Sequence, residues 1–274
     1  MKKRMKLVVF GLILSVSLAV LPTNSHAKEE INYQEIYDQG VSAGRIKADE
    51  VSLEQWIEAS KTEYYPVYSD GLKEDVYDET TTYAEWIKMN NYGQPPAGNT
   101  YVEEVKPALV KGVYKGYNVR KGDILVTNGT SAPGVLGHTA IANGNEYILD
   151  IPRPGETTRQ QPTSKWMTYY DNKGWVKVYR INDSSVANAA ANWADRNYYS
   201  SSGSSVQNKW PKYGLTGSRY ATNPTYCSKI VLQAYYFGSG SKPVIKVFPS
   251  IVSPYDLQSY FSSQYSPYQV KSFN

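Results

Sequence analysis

The chain has 274 residues, of which 29 are basic and 25 acidic, with one cysteine and two histidines. That length is sufficient for one or two domains with a hydrophobic core. A hydrophobic share of 41% excludes a disordered chain, and one cysteine excludes a disulfide scaffold or a multi-cysteine zinc site.

The N-terminus has the three parts of a secretory signal peptide. Four basic residues lie within the first six, an apolar segment covers residues 7–21, and Ser25-His26-Ala27 forms a small-x-small cleavage site. We predict cleavage after residue 27 rather than a retained anchor, because about 20 apolar residues are needed to span a bilayer. The mature protein is then secreted, and it keeps one histidine, His138, and one cysteine, Cys227.

Charge divides the remaining chain near residue 100. Residues 28–100 carry 6 basic and 15 acidic residues, whereas residues 101–274 carry 19 basic and 10 acidic residues. We predict an acidic helical region over 28–100 and a catalytic domain over 101–274. The opposite net charges suggest that the acidic region docks on the domain, as an inhibitor or propeptide would. The mature chain is neutral and has no recognised nucleic-acid-binding motif, so nucleic acid is not an expected partner.

The acidic region shows helix start signals. Ser52 and Thr82 each precede an apolar pattern typical of a short helix, and Gln55 is placed as in a capping box. The basic region changes to strand patterns followed by helices, which predicts an α+β domain. The strands are expected at 123–126, 138–142, 147–151 and 176–181, and the helices at 186–199 and from Thr225 to Gly238.

Cys227 is the candidate nucleophile. Thr225 is a plausible helix cap, which places the sulfur in the first turn, where unpaired N–H groups and the helix dipole favour a thiolate. A thiol nucleophile needs a base, and the remaining imidazole, His138, is the natural choice. A buried structural cysteine and a packed histidine are the alternatives when each residue is considered separately.

A catalytic imidazole also needs an orienting partner, and the hairpin after His138 indicates Asp150. If Ala142 pairs with Glu146, His138 faces Asp150 directly. A two-residue turn at Gly144-Asn145 would instead place Asp150 on the opposite face, so the triad requires an odd loop.

Several segments resemble a known family. Gly122-Asp123-Ile124-Leu125 and Gly137-His138-Thr139-Ala140-Ile141-Ala142, followed by Tyr147-Ile148-Leu149-Asp150, resemble the β-core of NlpC-type papain-like hydrolases. Tyr226-Cys227-Ser228-Lys229-Ile230 resembles the nucleophile helix of their circularly permuted YiiX/YaeF-like group, in which histidine precedes cysteine. Ser253-Pro254-Tyr255-Asp256-Leu257 also looks like a segment of that group.

The resemblance implies a permuted papain-like fold, with a small antiparallel sheet packed on the nucleophile helix. It assigns Cys227 as nucleophile, His138 as general base and Asp150 as third residue, without a cofactor. The implied activity is cleavage of amide bonds, in peptidoglycan peptides of the cell wall, through a thioester. Two alternatives remain open: a catalytically silent cell-wall binding protein on the same fold, and an acyltransferase or a lipid-amide or thioester hydrolase.

Two further residues are candidates for substrate binding. Tyr226 precedes the nucleophile and is placed to assist the oxyanion, although packing explains it equally well. Arg153 follows Asp150 in a polar loop, where it would bind a substrate carboxylate. Metal binding by Cys227, His138 and Asp150 is disfavoured, because structural zinc usually takes four ligands and the chain has no Cys-x-x-Cys or His-x-x-x-His spacing.

Overall fold

A computed structural model describes residues 30–96, 113–144 and 146–274. Residues 32–274 form one compact unit in which helices surround an antiparallel sheet. The predicted α+β class is therefore confirmed, whereas the permuted papain-like connection stays a prediction. The predicted signal peptide lies outside the described residues.

Four α-helices and a π-helical turn form the N-terminal region: α1 (Tyr33–Ser42), α2 (Leu53–Ala59), the turn Ser60–Tyr64, α3 (Tyr65–Lys73) and α4 (Tyr83–Met89). Ser52 and Thr82 are the caps of α2 and α4, and each forms a complete capping box with the residue three positions later. Reciprocal bonds satisfy N–H groups that a helix start leaves unpaired. Trp56 and Trp86, at matching positions in the two helices, are fully buried and anchor them in the core.

Eight strands follow: β1 (Val113–Tyr114), β2 (Tyr117–Asn118), β3 (Ile124–Thr127), β4 (His138–Ala142), β5 (Tyr147–Asp150), β6 (Arg159–Pro162), β7 (Val176–Arg180) and β8 (Tyr268–Phe273). β1 and β2 form a separate hairpin, and the other six form an antiparallel sheet in the order β6-β5-β4-β3-β7-β8. Every residue of the central strands β3 and β4 is buried, which explains why most of their residues are apolar. The strands predicted from 123, 138, 147 and 176 are confirmed.

Three helices cover the sheet: α5 (Thr163–Asp171), α6 (Ser184–Tyr198) and α7 (Cys227–Gly238). α6 and α7 pack on each other, and α7 also packs on β4. Nine of the twelve residues of α7 are buried, so its position on β4 is fixed along most of its length. This packing brings the first turn of α7 to the start of β4.

Asp123, from the Gly-Asp pair that resembles the family pattern, is structural. Arg180 donates hydrogen bonds to both carboxylate oxygens of Asp123, each 2.8 Å long, and the backbone N–H of Arg120 donates a third. A bidentate arginine–carboxylate pair fixes orientation as well as distance. It therefore fixes the start of β3 against the end of β7.

The N-terminal helices hold the loop that leads into β4. The carbonyl oxygen of Gly134 accepts hydrogen bonds from Tyr77 Oη (2.7 Å) and from Trp86 Nε1 (2.9 Å). Asn90 Oδ1 accepts from the N–H of Leu136 at 3.1 Å. The described ranges contain no helix that combines the length and apolar character needed to cross a membrane.

Candidate active site

β4 begins at His138, and a glycine makes this start possible. Gly137 has a φ of +73°, in the left-handed region that favours glycine. A Cβ at this position would lie 2.3 Å from a ring carbon of Tyr255. The chain therefore turns closely past Tyr255 and enters the strand with the His138 side chain buried.

The predicted hairpin register is wrong by two residues. The sequence argument paired Ala142 with Glu146, but Ala142 pairs with Ile148. Because the shift is even, His138 and Asp150 remain on the same face, as diagonal rather than direct neighbours. Their side chains still meet, with His138 Nε2 and Asp150 Oδ2 3.0 Å apart.

The longer loop is fixed by a contact with the start of α5. The carbonyl oxygen of Glu146 accepts a hydrogen bond (2.7 Å) from the N–H of Thr163, the first residue of α5. The N–H of Asn143 donates to the carbonyl oxygen of Tyr147 at 2.8 Å and closes the loop. Glu146 is thereby held by a contact that lies far away in sequence, so local spacing could not reveal the register.

Three donors surround the buried carboxylate of Asp150. Besides His138, Trp166 Nε1 donates to Oδ2 and Arg159 Nε donates to Oδ1, both at 2.9 Å. Burial alone would raise the pKa of Asp150, but hydrogen bonding and charge from His138, together with the Arg159 guanidinium, hold it below its usual value. The carboxylate is therefore ionised at neutral pH and fixes the orientation of the imidazole ring.

Aromatic rings enclose the imidazole of His138. The ring stacks at 5.1 Å from the Tyr170 centroid and at 6.2 Å from that of Trp166. Burial lowers the pKa of His138, but hydrogen bonds to Asp150 and Cys227 outweigh this and raise it to about 9. Because Nε2 contacts Asp150, Nδ1 is the ring nitrogen available for the hydrogen bond with Cys227 Sγ.

Cys227 is the first residue of α7, and its side chain is buried. Burial opposes ionisation of the thiol, but hydrogen bonding and charge from His138, followed by the N–H of Thr139, lower its pKa. The opposite shifts of the two groups favour a thiolate–imidazolium pair. The structure thus brings the sulfur, the imidazole and the carboxylate of the three predicted residues into one chain of contacts.

The predicted helix cap is not observed. Tyr226, in an extended conformation, occupies the cap position of α7, and no side chain caps the helix. Thr225 lies one residue too early, and its buried hydroxyl oxygen has no hydrogen-bond partner among the described residues. The first N–H groups of α7 therefore lack a side-chain acceptor, and the N–H of Cys227 can serve an oxyanion.

Tyr213 is a residue that the sequence argument did not identify. It forms an isolated parallel bridge with Thr225, two residues before the nucleophile. Its hydroxyl group is buried and has no hydrogen-bond partner within the described ranges. Burial raises the pKa of Tyr213, and the charge of Cys227 raises it further, so the phenol stays protonated at neutral pH. Such a hydroxyl is a suitable second oxyanion donor.

The two predicted substrate-binding residues have hydrogen-bond partners outside the triad. Tyr226 is fully buried, and its hydroxyl accepts a 2.9 Å hydrogen bond from the N–H of Val252. Arg153 has a 71% exposed side chain and pairs with Glu156 at 2.7 Å. The arginine that contacts Asp150 is instead Arg159, on the unpredicted strand β6. Substrate contacts by Tyr226 and Arg153 stay predictions.

The segment from Val252 to Tyr255 connects the parts of the site. The carbonyl oxygen of Val252 accepts a 2.6 Å hydrogen bond from Ser228 Oγ, next to the nucleophile. Ser253 Oγ donates to Asn90 Oδ1 at 3.0 Å, and Tyr255 packs on Gly137. This segment, which resembles part of the permuted group, therefore holds the start of α7 against the start of β4.

The arrangement matches the requirements of nucleophilic acyl transfer. It offers a thiolate, an imidazolium that can protonate a leaving group, a fixed carboxylate and N–H groups at a helix start. Across the described part of the chain, no three His, Cys, Asp or Glu side chains converge as metal ligands.

Comparison with known proteins gives a family model and a relative that match this chain. The model of a family described as "Lipoprotein N-acylation protein LnsA-like" matches residues 97–273, which include Cys227, His138 and Asp150. A protein from Bacillus thuringiensis, described as an uncharacterized 30.3 kDa protein, is 45% identical over 248 residues, which cover 90% of this chain and 91% of the relative. No solved structure matches. The extent of the family match shows that the chain belongs to the LnsA-like lipoprotein N-acylation family.

Proposed function

We propose that this protein is an exported cysteine acyltransferase that moves an acyl group from a lipid ester to an amine through a thioester on Cys227. The observation that carries the proposal is the buried chain of contacts from Cys227 through His138 to Asp150. The family description supplies the acceptor, the N-terminal amine of a lipoprotein. The sequence alone favoured hydrolysis of peptidoglycan amides, and the family description now puts acyl transfer first.

The first half-reaction forms the thioester. The Cys227 thiolate attacks the ester carbonyl carbon, and the oxyanion is stabilised by the N–H of Cys227 and the hydroxyl of Tyr213. The carbon–oxygen bond of the ester then breaks, and the leaving alkoxide takes the proton of the His138 imidazolium. Asp150 keeps the ring in position while its charge changes.

The second half-reaction consumes the thioester. The acceptor amine attacks the thioester carbonyl carbon, His138 takes the amine proton, and the Cys227 thiolate leaves. An amide forms and the starting thiolate–imidazolium pair is restored. Water at the same position would give a free acid instead. Only 4% of Cys227 is exposed to solvent, which favours transfer to a bound amine over hydrolysis.

The test uses phosphatidylglycerol as acyl donor and a diacylglyceryl-cysteine peptide with a free N-terminus as acceptor. Mass spectrometry is expected to show the peptide gaining one acyl chain, and the protein gaining the same mass when the acceptor is omitted. Cys227→Ala and His138→Ala should both abolish the transfer. Absence of peptide acylation and of the thioester would refute the proposal.

A parallel incubation with cell-wall peptide fragments tests the hydrolytic alternative. Release of new amines from these fragments, dependent on Cys227, would support an amidase. If the Cys227→Ala protein keeps the full biological function, the binding-protein alternative is correct.

A further inference from the structure

The segment from Val206 to Lys212, here called the Trp210 loop, presents large apolar side chains to solvent. Trp210 is 58% exposed and Val206 is 69% exposed. By contrast, Trp56, Trp86 and Trp166 are fully buried. A soluble fold normally buries most of a tryptophan side chain, so this exposure requires an explanation.

Hydrogen bonds hold the loop in place, so the exposure of Trp210 is a property of the fold. The N–H groups of Asn208 and Lys209 donate to the carbonyl oxygen of Tyr199 at 2.9 and 3.1 Å. The amide of Gln207 donates to the carbonyl oxygens of Thr158 (2.7 Å) and Lys209 (2.8 Å). These bonds fix the backbone on the N-terminal side of Trp210, and a bond to the carbonyl oxygen of Pro211 fixes it on the other side.

The loop lies between the two segments that carry the candidate site. On one side, the N–H of Thr158 donates to the carbonyl oxygen of Pro211 at 3.1 Å, one residue before Arg159. On the other side, Tyr213 forms its bridge with Thr225, close to Cys227. Tyr213 follows Trp210 by three positions, which is at most about 11 Å of chain. The exposed tryptophan therefore borders the site.

Two lysines flank the tryptophan. Lys212 is exposed and Lys209 is half-buried, and within the described residues neither ammonium group has an ion-pair partner. Tryptophan prefers the interface between water and lipid, because its ring is apolar and its N–H is polar. Lysine side chains near an anionic leaflet are attracted by its phosphate groups.

We infer that the Trp210 loop docks this protein on an anionic phospholipid surface. Trp210 and Val206 enter the headgroup region, and Lys209 and Lys212 contact lipid phosphates. Binding to lipid follows from these side chains alone. The further consequence, that docking brings Cys227 to a membrane-embedded substrate, rests on the proposed function.

The test measures cosedimentation of the chain from residue 28 onward, which contains the whole compact unit, with two kinds of vesicles. One is phosphatidylcholine mixed with phosphatidylglycerol, and the other is phosphatidylcholine alone. Binding to the anionic vesicles should weaken about tenfold in Trp210→Ser. It should weaken about fivefold for each lysine changed to glutamine in Lys209→Gln and Lys212→Gln. Tyr220→Ser is the matched control, because Tyr220 is an exposed aromatic residue (62%) outside the loop.

Tryptophan fluorescence gives an independent readout. Anionic vesicles should shift the emission of the wild-type protein to shorter wavelength, and Trp210→Ser should remove the shift. An unchanged melting temperature shows that the variant folds. The inference is overturned if the protein binds neither vesicle, binds both equally, or loses binding in Tyr220→Ser but not in Trp210→Ser. Binding to glycan strands in place of vesicles would also overturn it.

These outcomes are separable from those of the proposed function. Cys227→Ala should bind vesicles like the wild type while forming no thioester. If the protein forms the thioester with a detergent-dispersed donor but does not bind vesicles, the docking proposal is refuted and the proposed function is not. A protein that binds vesicles through Trp210 but never forms a thioester would refute acyl transfer alone.

Discussion

The charge of Asp150 is expected to control how reactive Cys227 is at neutral pH. In Asp150→Asn the amide oxygen can still accept the hydrogen bond of His138 Nε2, so the ring stays oriented while the negative charge is lost. Without that charge, the imidazolium is less stable and the pKa of His138 falls. The proton then returns to the sulfur, and the thiolate population decreases.

The size of this effect can be worked from the pKa of His138. That pKa is about 9 in the folded protein against an ordinary 6.5, a difference that corresponds to about 3 kcal/mol. Burial acts in the opposite direction, so the hydrogen bonds of Asp150 and Cys227 together supply at least this amount. If Asp150 supplies half of this amount, its loss lowers the equilibrium constant for forming the thiolate–imidazolium pair by about 10- to 20-fold.

Alkylation by iodoacetamide as a function of pH measures the thiolate population directly, because the chain has a single cysteine. The wild type should react rapidly well below the ordinary thiol pKa, and Asp150→Asn should lose that advantage. Asp195→Asn is the matched control, since Asp195 accepts hydrogen bonds from Asn143 and Gln160 and not from His138. Superimposable profiles for the wild type and Asp150→Asn would refute the reasoning.

Three other predictions concern the same site. In Cys227→Ser, His138 loses the partner that, together with Asp150, raises its pKa to about 9, so this pKa is expected to fall. NMR titration of the His138 ring should show the lower value, and a pKa equal to that of the wild type would contradict the ion pair. Tyr213→Phe should slow thioester formation about 100-fold without changing the alkylation of Cys227, and an unaltered rate would exclude Tyr213 as oxyanion donor. Gly137→Ala should lower the free energy of unfolding by about 1–3 kcal/mol more than Gly116→Ala does. Both glycines have a positive φ, but only at Gly137 would a Cβ clash with an aromatic ring. Equal losses of stability in thermal unfolding would refute the clash.

The sequence predicted the elements that carry their own local signals. The helix caps Ser52 and Thr82 are visible in the sequence, and so is the capping box at Ser52, because Gln55 lies three residues later. β4 is visible from its short, mainly apolar run, and α7 from an apolar stripe at helical spacing. That His138 and Asp150 share a face of the sheet is also predictable, because side chains alternate between the two faces and a register error of two residues leaves each on the same face.

The remaining parts depend on contacts between distant residues. β6 has the sequence Arg-Gln-Gln-Pro, which lacks strand alternation and becomes a strand only by pairing with β5. Arg159 therefore could not be placed beside Asp150 from its own surroundings. Tyr213 gave no signal either, because one tyrosine among 26 is distinguished only by its unpartnered hydroxyl in the folded chain.

The N-terminal helices are part of the support of the candidate site, which bears on the hypothesis that they form a removable inhibitor. Asn90, 1% exposed, accepts hydrogen bonds from Leu136 and Ser253, which lie on the two segments that meet at Gly137. Removal of residues 28–100 would leave both donors without this acceptor, at a cost of about 1–3 kcal/mol for each buried group. It would also release the carbonyl oxygen of Gly134 from its two donors. A removable inhibitor covers a site that is complete without it, whereas these helices hold the loop that places His138. Their acidic surface therefore belongs to a structural part of the enzyme, and we expect its removal to inactivate the site rather than open it.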